Sequence, residues 1–421
     1  MPHETPLIAT VVIGLSLAFL LGLIAQRLRL PMLAGYLLAG IIIGPFTPGY
    51  VADQELATEL AELGVILLMF GVGLHFSVKD LLSVKTIAIP GALGQIIVAT
   101  AAGLGLALIM GWGIGAGLIF GLSLSVASTV VLLRALQDRD LVASDRGRIA
   151  VGWLIVEDVV MVLALVLIPP LAGLLGGITQ PVDGEAEQEV IRLGFGPITA
   201  TLAVTLAKFA AFVALMLVVG RKVIPWILHY VAHTGSRELF RLGVLSIALG
   251  VAFGSSQIFG VSFALGAFFA GMVMAGSTLS QQAMRETLPL RDAFAVLFFV
   301  SVGMLFNPAV IIEAPLALLA TVLIILVVKS LAAYAIVRAF GHEKGTALTI
   351  ATSLAQIGEF SFILIVMGVK LAIVPAMAKD LVVAGALISI LANPLLFSWL
   401  DRWTAKHGST PEEPAAPVTP A

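Results

Sequence analysis

The stretch "GWLIVEDVVMVLALVLIPP", residues 152–170, is apolar over its 19 positions apart from two adjacent carboxylates, Glu157 and Asp158. A helix needs about 20 apolar residues to cross the hydrocarbon core of a bilayer, so this segment reads as a membrane span. A carboxylate at the centre of such a span costs roughly 2.5–3.5 kcal/mol on the insertion scale. Two in a row need partners or water, which marks the span as one with a charged task.

The rest of the chain has the same character. Of its 421 residues 60% are apolar and 11% charged, against about 25% charged in soluble domains. The apolar residues fall in blocks of spanning length, which makes the chain an all-α polytopic membrane protein. Thirteen spans are expected, near 7–25, 31–45, 60–75, 87–110, 112–134, 148–170, 198–220, 239–255, 260–277, 291–306, 315–338, 345–369 and 379–400. The first has no basic leader and no small-residue cleavage pattern, so it is read as a span and not as a cleaved signal peptide. The absence of cysteine excludes a disulfide framework, thiol catalysis and a thiolate metal site.

Charge placement tests the count. With alternate loops assigned to alternate sides, 18 of the 23 Lys and Arg fall on one side, 3 on the other, and Lys208 and Lys329 within spans. Basic loops stay cytoplasmic, so the expected topology is N-terminus outside and C-terminus inside. The loop 171–197, with Asp183, Glu185, Glu187 and Glu189, then lies outside and reads as a solvated linker. The Pro/Ala-rich tail 406–421 reads as disordered.

Two short motifs recur. "GYLLAG" at 35–40 matches "GAFFAG" at 266–271, an offset of 231, and "VGLHF" at 72–76 matches "VGMLF" at 302–306, an offset of 230. The paired spans are seven apart, an odd separation, so the halves have opposite orientation. The pattern is a 6+1+6 inverted repeat, an arrangement of secondary transporters whose site lies near the midplane between broken helices. The glycine-rich motifs themselves read as faces for close helix packing.

Five ionisable residues lie well inside spans: Glu157, Asp158, Lys208, Lys329 and Glu359. Neighbours on a helix point about 100° apart, so Glu157 and Asp158 cannot face one partner together. One takes a lysine, for which Lys329 is the candidate, and the other faces a wet cavity. Burial disfavours charge and pairing favours it, and a carboxylate balanced between them can exchange a proton for a metal cation. The competing reading is a permanent salt bridge that only joins helices.

Two spans read as interrupted. The fifth, "GLSLSVASTVVLL", crowds Ser123, Ser125, Ser128 and Thr129 at its middle, and the twelfth, "TIATSLAQIGEFSFIL", crowds Thr349, Thr352, Ser353, Gln356, Gly358 and Glu359. Hydroxyls and amides can support unwound backbone and supply neutral oxygens to a hard cation. Ordinary interhelical hydrogen bonding is the plain alternative. Glu359 is either a second proton site or a charge that satisfies the broken helix. Lys208 reads as a snorkelling or pairing residue.

These residues resemble the Kef-type members of the monovalent cation:proton antiporter-2 family, in its YbaL-like branch. The resemblance runs over essentially all of 7–400, on "GYLLAGIIIGPFTPG" (35–49), "ELGVILLMFGVGLHFS" (62–77), "STVVLLRAL" (128–136), "LIVEDVV" (154–160), "LFFVSVGM" (297–304) and "QIGEFSFIL" (356–364). It implies an NhaA/NapA-like sodium/proton antiporter fold with two discontinuous crossing helices, the fifth and twelfth spans. It also implies a homodimer whose scaffold helices (near 7–45 and 198–277) form the interface, while core helices (near 60–170 and 291–400) move past them as an elevator. Asp158 matches the ion- and proton-carrying aspartate and Lys329 the lysine that pairs in the core. Thr129 with Ser128, and Ser353 with Gln356, match the crossing region near the ion. Where Kef proteins have a Gln-Asp pair this chain has Glu157–Asp158, similar to the Asp-Asp pair of sodium/proton antiporters. Kef-type proteins commonly add a cytosolic nucleotide-binding regulatory domain. No such domain is expected within this sequence, whose transmembrane part occupies 1–405, so regulation would come from a separate subunit or from a domain outside it.

The expectation is thus a multi-pass protein of a bacterial inner membrane that exchanges K⁺, in preference to Na⁺, for H⁺. A sodium/proton antiporter of the same fold is the alternative. A channel-like K⁺ efflux pathway is disfavoured because no TVGYG-type filter is present. An intramembrane enzyme is disfavoured because no nucleophile–base pair or zinc motif is visible. Nothing calls for a cofactor beyond the transported ions, or for a nucleic-acid partner.

Overall fold

The computed structural model describes residues 6–28, 30–75, 78–142, 144–178 and 196–407. Most of the acidic loop and nearly all of the Pro/Ala-rich tail lie outside the described residues. In chain order the helices are α1 (Pro6–Arg27), α2 (Met32–Ile43), α3 (Gln54–His75), α4 (Val78–Ile109), α5 (Ile114–Ser125), α6 (Thr129–Gln137), α7 (Asp145–Leu171), α8 (Pro197–Leu215), α9 (Arg221–His233), α10 (Arg237–Phe259), α11 (Phe263–Ala275), α12 (Ser280–Met304), α13 (Val310–Glu313), α14 (Pro315–Leu323), α15 (Lys329–Ala339), α16 (Lys344–Ser353), α17 (Glu359–Lys370) and α18 (Ala376–His407). One π turn, Met216–Gly220, joins α8 to α9, and another, Ile324–Val328, joins α14 to α15.

Among the described residues, nine helices are long and apolar enough to cross a membrane, taking each helix joined through a π turn as one. The other four apolar blocks of the sequence fall on shorter pieces. Two are α2 and α11; the other two are the broken pairs α5/α6 and α16/α17.

The helices pack as two bundles. In one, α3 lies against α11 and α12, and α2 against α1 and α12. In the other, α4 packs on α5, α7 and α15, and α17 on α5 and α18. α3 and α12, the spans near 60–75 and 291–306, thus make their most extensive contacts with α2 and α11 and with each other. The reason is glycine. A Cβ on Gly40 of α2 would meet Gly303 of α12, and one on Gly73 of α3 would meet Gly271 of α11, backbone against backbone in both cases. Helices that approach this closely leave no room for an intervening side chain. The repeated glycine motifs are thus the two crossings that tie α3 and α12 to their bundle.

Candidate functional site

The site is built on two helix breaks. α5 ends at Ser125, whose hydroxyl turns back to the carbonyl of Leu122 (2.8 Å), while Ser123 does the same to Ile119 (2.8 Å). Such bonds offer the backbone a partner outside the helical ladder, and the chain leaves the helix with Val126 extended and stays non-helical through 128 before α6 begins at Thr129. α16 ends at Ser353 and α17 begins at Glu359, with Gly358 extended between them. A Cβ on Gly358 would strike the Cα of Ser128. The two breaks therefore cross in contact, and only glycine fits there.

Gln356 joins the breaks. Its Oε1 accepts the Ser128 N–H (2.8 Å), and its Nε2 donates to the Ser128 carbonyl (3.2 Å) and to that of Ser353 (3.4 Å). Ser128 is also the N-cap of α6: its hydroxyl accepts the Val131 N–H (3.3 Å) and donates to Glu359 Oε2 (3.1 Å). The Ala127 N–H donates to Glu157 Oε2 (2.9 Å), and Thr129 Oγ1 donates to Asp158 Oδ2 (3.5 Å). The amino ends of α6 and α17 thus converge on three carboxylates, the side of a helix that favours negative charge.

The carboxyl ends are satisfied from neighbouring helices. Gln95 of α4 donates to the Ser125 carbonyl (2.8 Å) and accepts from Trp153 Nε1 (3.2 Å). Asn393 of α18 donates to the Thr352 carbonyl (3.0 Å), and Lys329 Nζ donates to the Gln356 carbonyl (2.9 Å). The π turn directly before Lys329 shifts the helix register at that point, a device frequent at functional sites. A cation at the carbonyl end of a helix is favourably placed.

The two adjacent carboxylates of α7 diverge as their spacing requires. Glu157 is fully buried and lies within the electrostatic reach of Lys329. Asp158 turns the other way, into a cavity of about 1140 Å³ between the two bundles. Thr129, Asp158, Glu359 and Asn393 form its floor, and Asp138, Arg139, Arg291, Asp292 and Asp401 its mouth. Arg139 pairs with Asp401 across the mouth (3.1 Å) and lies over the ring of Phe397. At the floor, Asp158 Oδ1 and Glu359 Oε1 are buried oxygens with no hydrogen-bond partner, and Glu157 Oε1, off the cavity wall, is another.

Of the residues singled out from sequence, Glu157, Asp158, Ser128, Thr129, Gln356, Glu359 and Lys329 meet at the crossing. Lys329 lies in the electrostatic reach of Glu157, a carboxylate of the anticipated pair, and gives its hydrogen bond to the Gln356 carbonyl. Ser353 takes part only through its backbone carbonyl, which accepts Gln356 Nε2, while its hydroxyl donates to the Thr349 carbonyl of its own helix (2.7 Å). Lys208 lies exposed on α8, away from the site. Sequence reasoning missed Gln95 and Asn393, each fully buried within a span. A lone amide in an apolar run was the available signal for both.

The family described as sodium/hydrogen exchanger, transmembrane, matches residues 15–403. The chain is 59% identical to the Escherichia coli (strain K12) protein YbaL, named a cation/proton antiporter, over 98% of this chain and 72% of that one. It is 33% identical to K(+) efflux antiporter 4 of Arabidopsis thaliana, over 90% of this chain and 63% of the plant protein. Its fold is similar to that of the sodium proton antiporter MjNhaP1 from Methanocaldococcus jannaschii, with a TM-score of 0.69 at 16% identity over 94% of this chain and 98% of that one. Through the match over nearly its whole length and its close likeness to YbaL, the chain belongs to the transmembrane sodium/hydrogen exchanger family, in the cation:proton antiporter-2 group that resembles Kef.

Proposed function

We propose that this protein is a secondary active cation/proton antiporter of a bacterial inner membrane, with Asp158 as the carrier of either the cation or a proton. The observation that carries the reading is Asp158 itself. Its carboxylate is 4% exposed, sits on the floor of a large cavity and leaves one oxygen unpartnered beside the broken helices. A buried oxygen without a partner is costly and is relieved by a proton or by a bare cation, one excluding the other. Thr129, Ser128 and the backbone freed at the breaks supply neutral oxygens. Gln356 braces the breaks, while Glu157 and Lys329 set the charge balance. K⁺ is the preferred ion over Na⁺, in line with the K⁺ efflux antiporter among the relatives.

The chain crosses the membrane thirteen times, N-terminus outside and C-terminus cytoplasmic, as a 6+1+6 inverted repeat. In support, α5 and α16 begin at Ile114 and Lys344, and α6 and α17 at Thr129 and Glu359, the same offset of 230 in both cases. The cavity mouth carries Arg139 and Arg291 from the basic, cytoplasmic side, so this is the inward-facing conformation. The bundle holding α4–α7 and α14–α18 moves as an elevator past the other, through which two copies associate as a homodimer.

The test is exchange in proteoliposomes holding a pH-sensitive dye, with K⁺ or Na⁺ added to wild type and to Asp158→Asn. Cation-dependent proton movement that disappears in Asp158→Asn is expected. Exchange that survives the substitution sinks the reading.

A further inference from the structure

We propose that Glu359 is a direct ligand of the transported cation, so that the ion is held between two carboxylates, Asp158 from α7 and Glu359 from α17; this rests on the antiporter reading above. Glu359 is the first residue of α17, is 1% exposed and lies on the same cavity floor as Asp158. The two side chains are held in parallel ways. The Ser128 hydroxyl occupies Glu359 Oε2 (3.1 Å), and the adjacent Thr129 hydroxyl occupies Asp158 Oδ2 (3.5 Å). The second oxygen of each carboxylate is buried and has no hydrogen-bond partner. The two carboxylates line one cavity and lie within electrostatic reach of each other.

Among the described residues, no hydrogen-bond donor takes those oxygens. Lys329 is committed to the Gln356 carbonyl and lies beside Glu157. The basic residues that line the cavity, Arg139 and Arg291, are at its mouth and bond Asp401 and Asp292. A hard monovalent cation favours anionic and neutral oxygens around it, and the floor offers two of the first together with the Thr129 hydroxyl. Glu157 is set apart: its bonded oxygen is taken by Ala127 behind the crossing, and it is absent from the cavity wall. The arrangement also gives each broken helix a share in the site, through Thr129 at the start of α6 and Glu359 at the start of α17.

The experiment measures the apparent KM for K⁺ and for Na⁺ in proteoliposomes, at constant ionic strength with choline, for wild type, Glu359→Gln, Glu359→Asp and Asp158→Asn. A glutamine still accepts the Ser128 hydroxyl, so a purely structural Glu359 leaves KM unmoved in Glu359→Gln. Loss of one charged ligand is expected to raise KM about tenfold or more while proton coupling persists through Asp158. Glu359→Asp, which keeps the charge but withdraws it by one methylene, is expected to fall between the two, and it decides the matter if Glu359→Gln does not assemble. Wild-type KM in Glu359→Gln, or in Glu359→Asp where it alone folds, overturns the proposal. If instead Asp158→Asn retains exchange or wild type shows none, it is the antiporter reading that fails.

Discussion

Gln356 and Ser128 hold one another by two opposed hydrogen bonds, N–H to amide oxygen at 2.8 Å and amide nitrogen to carbonyl at 3.2 Å. One side chain thereby satisfies both backbone groups of a residue in the other helix's break, far from water. Gln356→Ala strands both, and each buried unsatisfied group costs about 1–3 kcal/mol. A marked fall in the melting temperature of detergent-purified protein is expected, together with loss of exchange. A melting temperature equal to that of wild type would show that the breaks are held by something else.

Glu157 and Lys329 form an electrostatic pair in which each partner also bonds backbone at the crossing. Lys329→Met leaves a buried carboxylate without its counter-charge, a change that costs about 3–5 kcal/mol. Glu157→Gln keeps an acceptor for the Ala127 N–H and is the milder change. The double variant is expected to be more stable than Lys329→Met alone, with a coupling of about 1 kcal/mol or more in a double-mutant cycle. Additive effects on thermal unfolding would exclude the pairing.

The glycine crossings make a steric prediction. Gly40→Leu and Gly271→Leu force side chains into the backbones of α12 and α3, and are expected to abolish monodisperse protein on size-exclusion chromatography. Gly250→Ala, at a helical position with nothing within 4 Å of the new Cβ, is expected to behave as wild type.

The cavity's direction is testable because the chain has no cysteine. Ser398→Cys puts a single thiol on the cavity wall. A membrane-impermeant maleimide is expected to label it in inside-out vesicles and to spare it in intact cells. Labelling from the outside would reverse the proposed topology.

Much of this was legible in the sequence because charge is rare in it. Glu157, Asp158, Lys329 and Glu359 stood out against apolar spans, and helical geometry alone required Glu157 and Asp158 to diverge. The small polar clusters around Ser128 and Gln356 marked both breaks. Less legible was which atoms meet. Ser353 resembles Ser128 in type and setting, yet its hydroxyl closes on its own helix, a choice fixed by rotamer and not by spacing. Lys329 was matched to a carboxylate, which agrees with its charge partner Glu157, but its hydrogen bond was hidden, because the sequence shows side chains and the Gln356 carbonyl is bared only once the break has formed. The placement of α3 and α12 depended on glycines that pattern reading could identify as packing residues without saying against which helix.

The two breaks are sealed unequally: a neutral amide, Gln95, closes the end of α5, and an ammonium, Lys329, closes the end beyond α16. The crossing is therefore electrically lopsided. The ammonium stands beside Glu157, so that wall carries a matched pair of charges where the end of α5 carries none. Exchanging the two caps, with lysine at 95 and glutamine at 329, would part Glu157 from its counter-charge and leave the Trp153 N–H without its acceptor, so the two seals are not interchangeable.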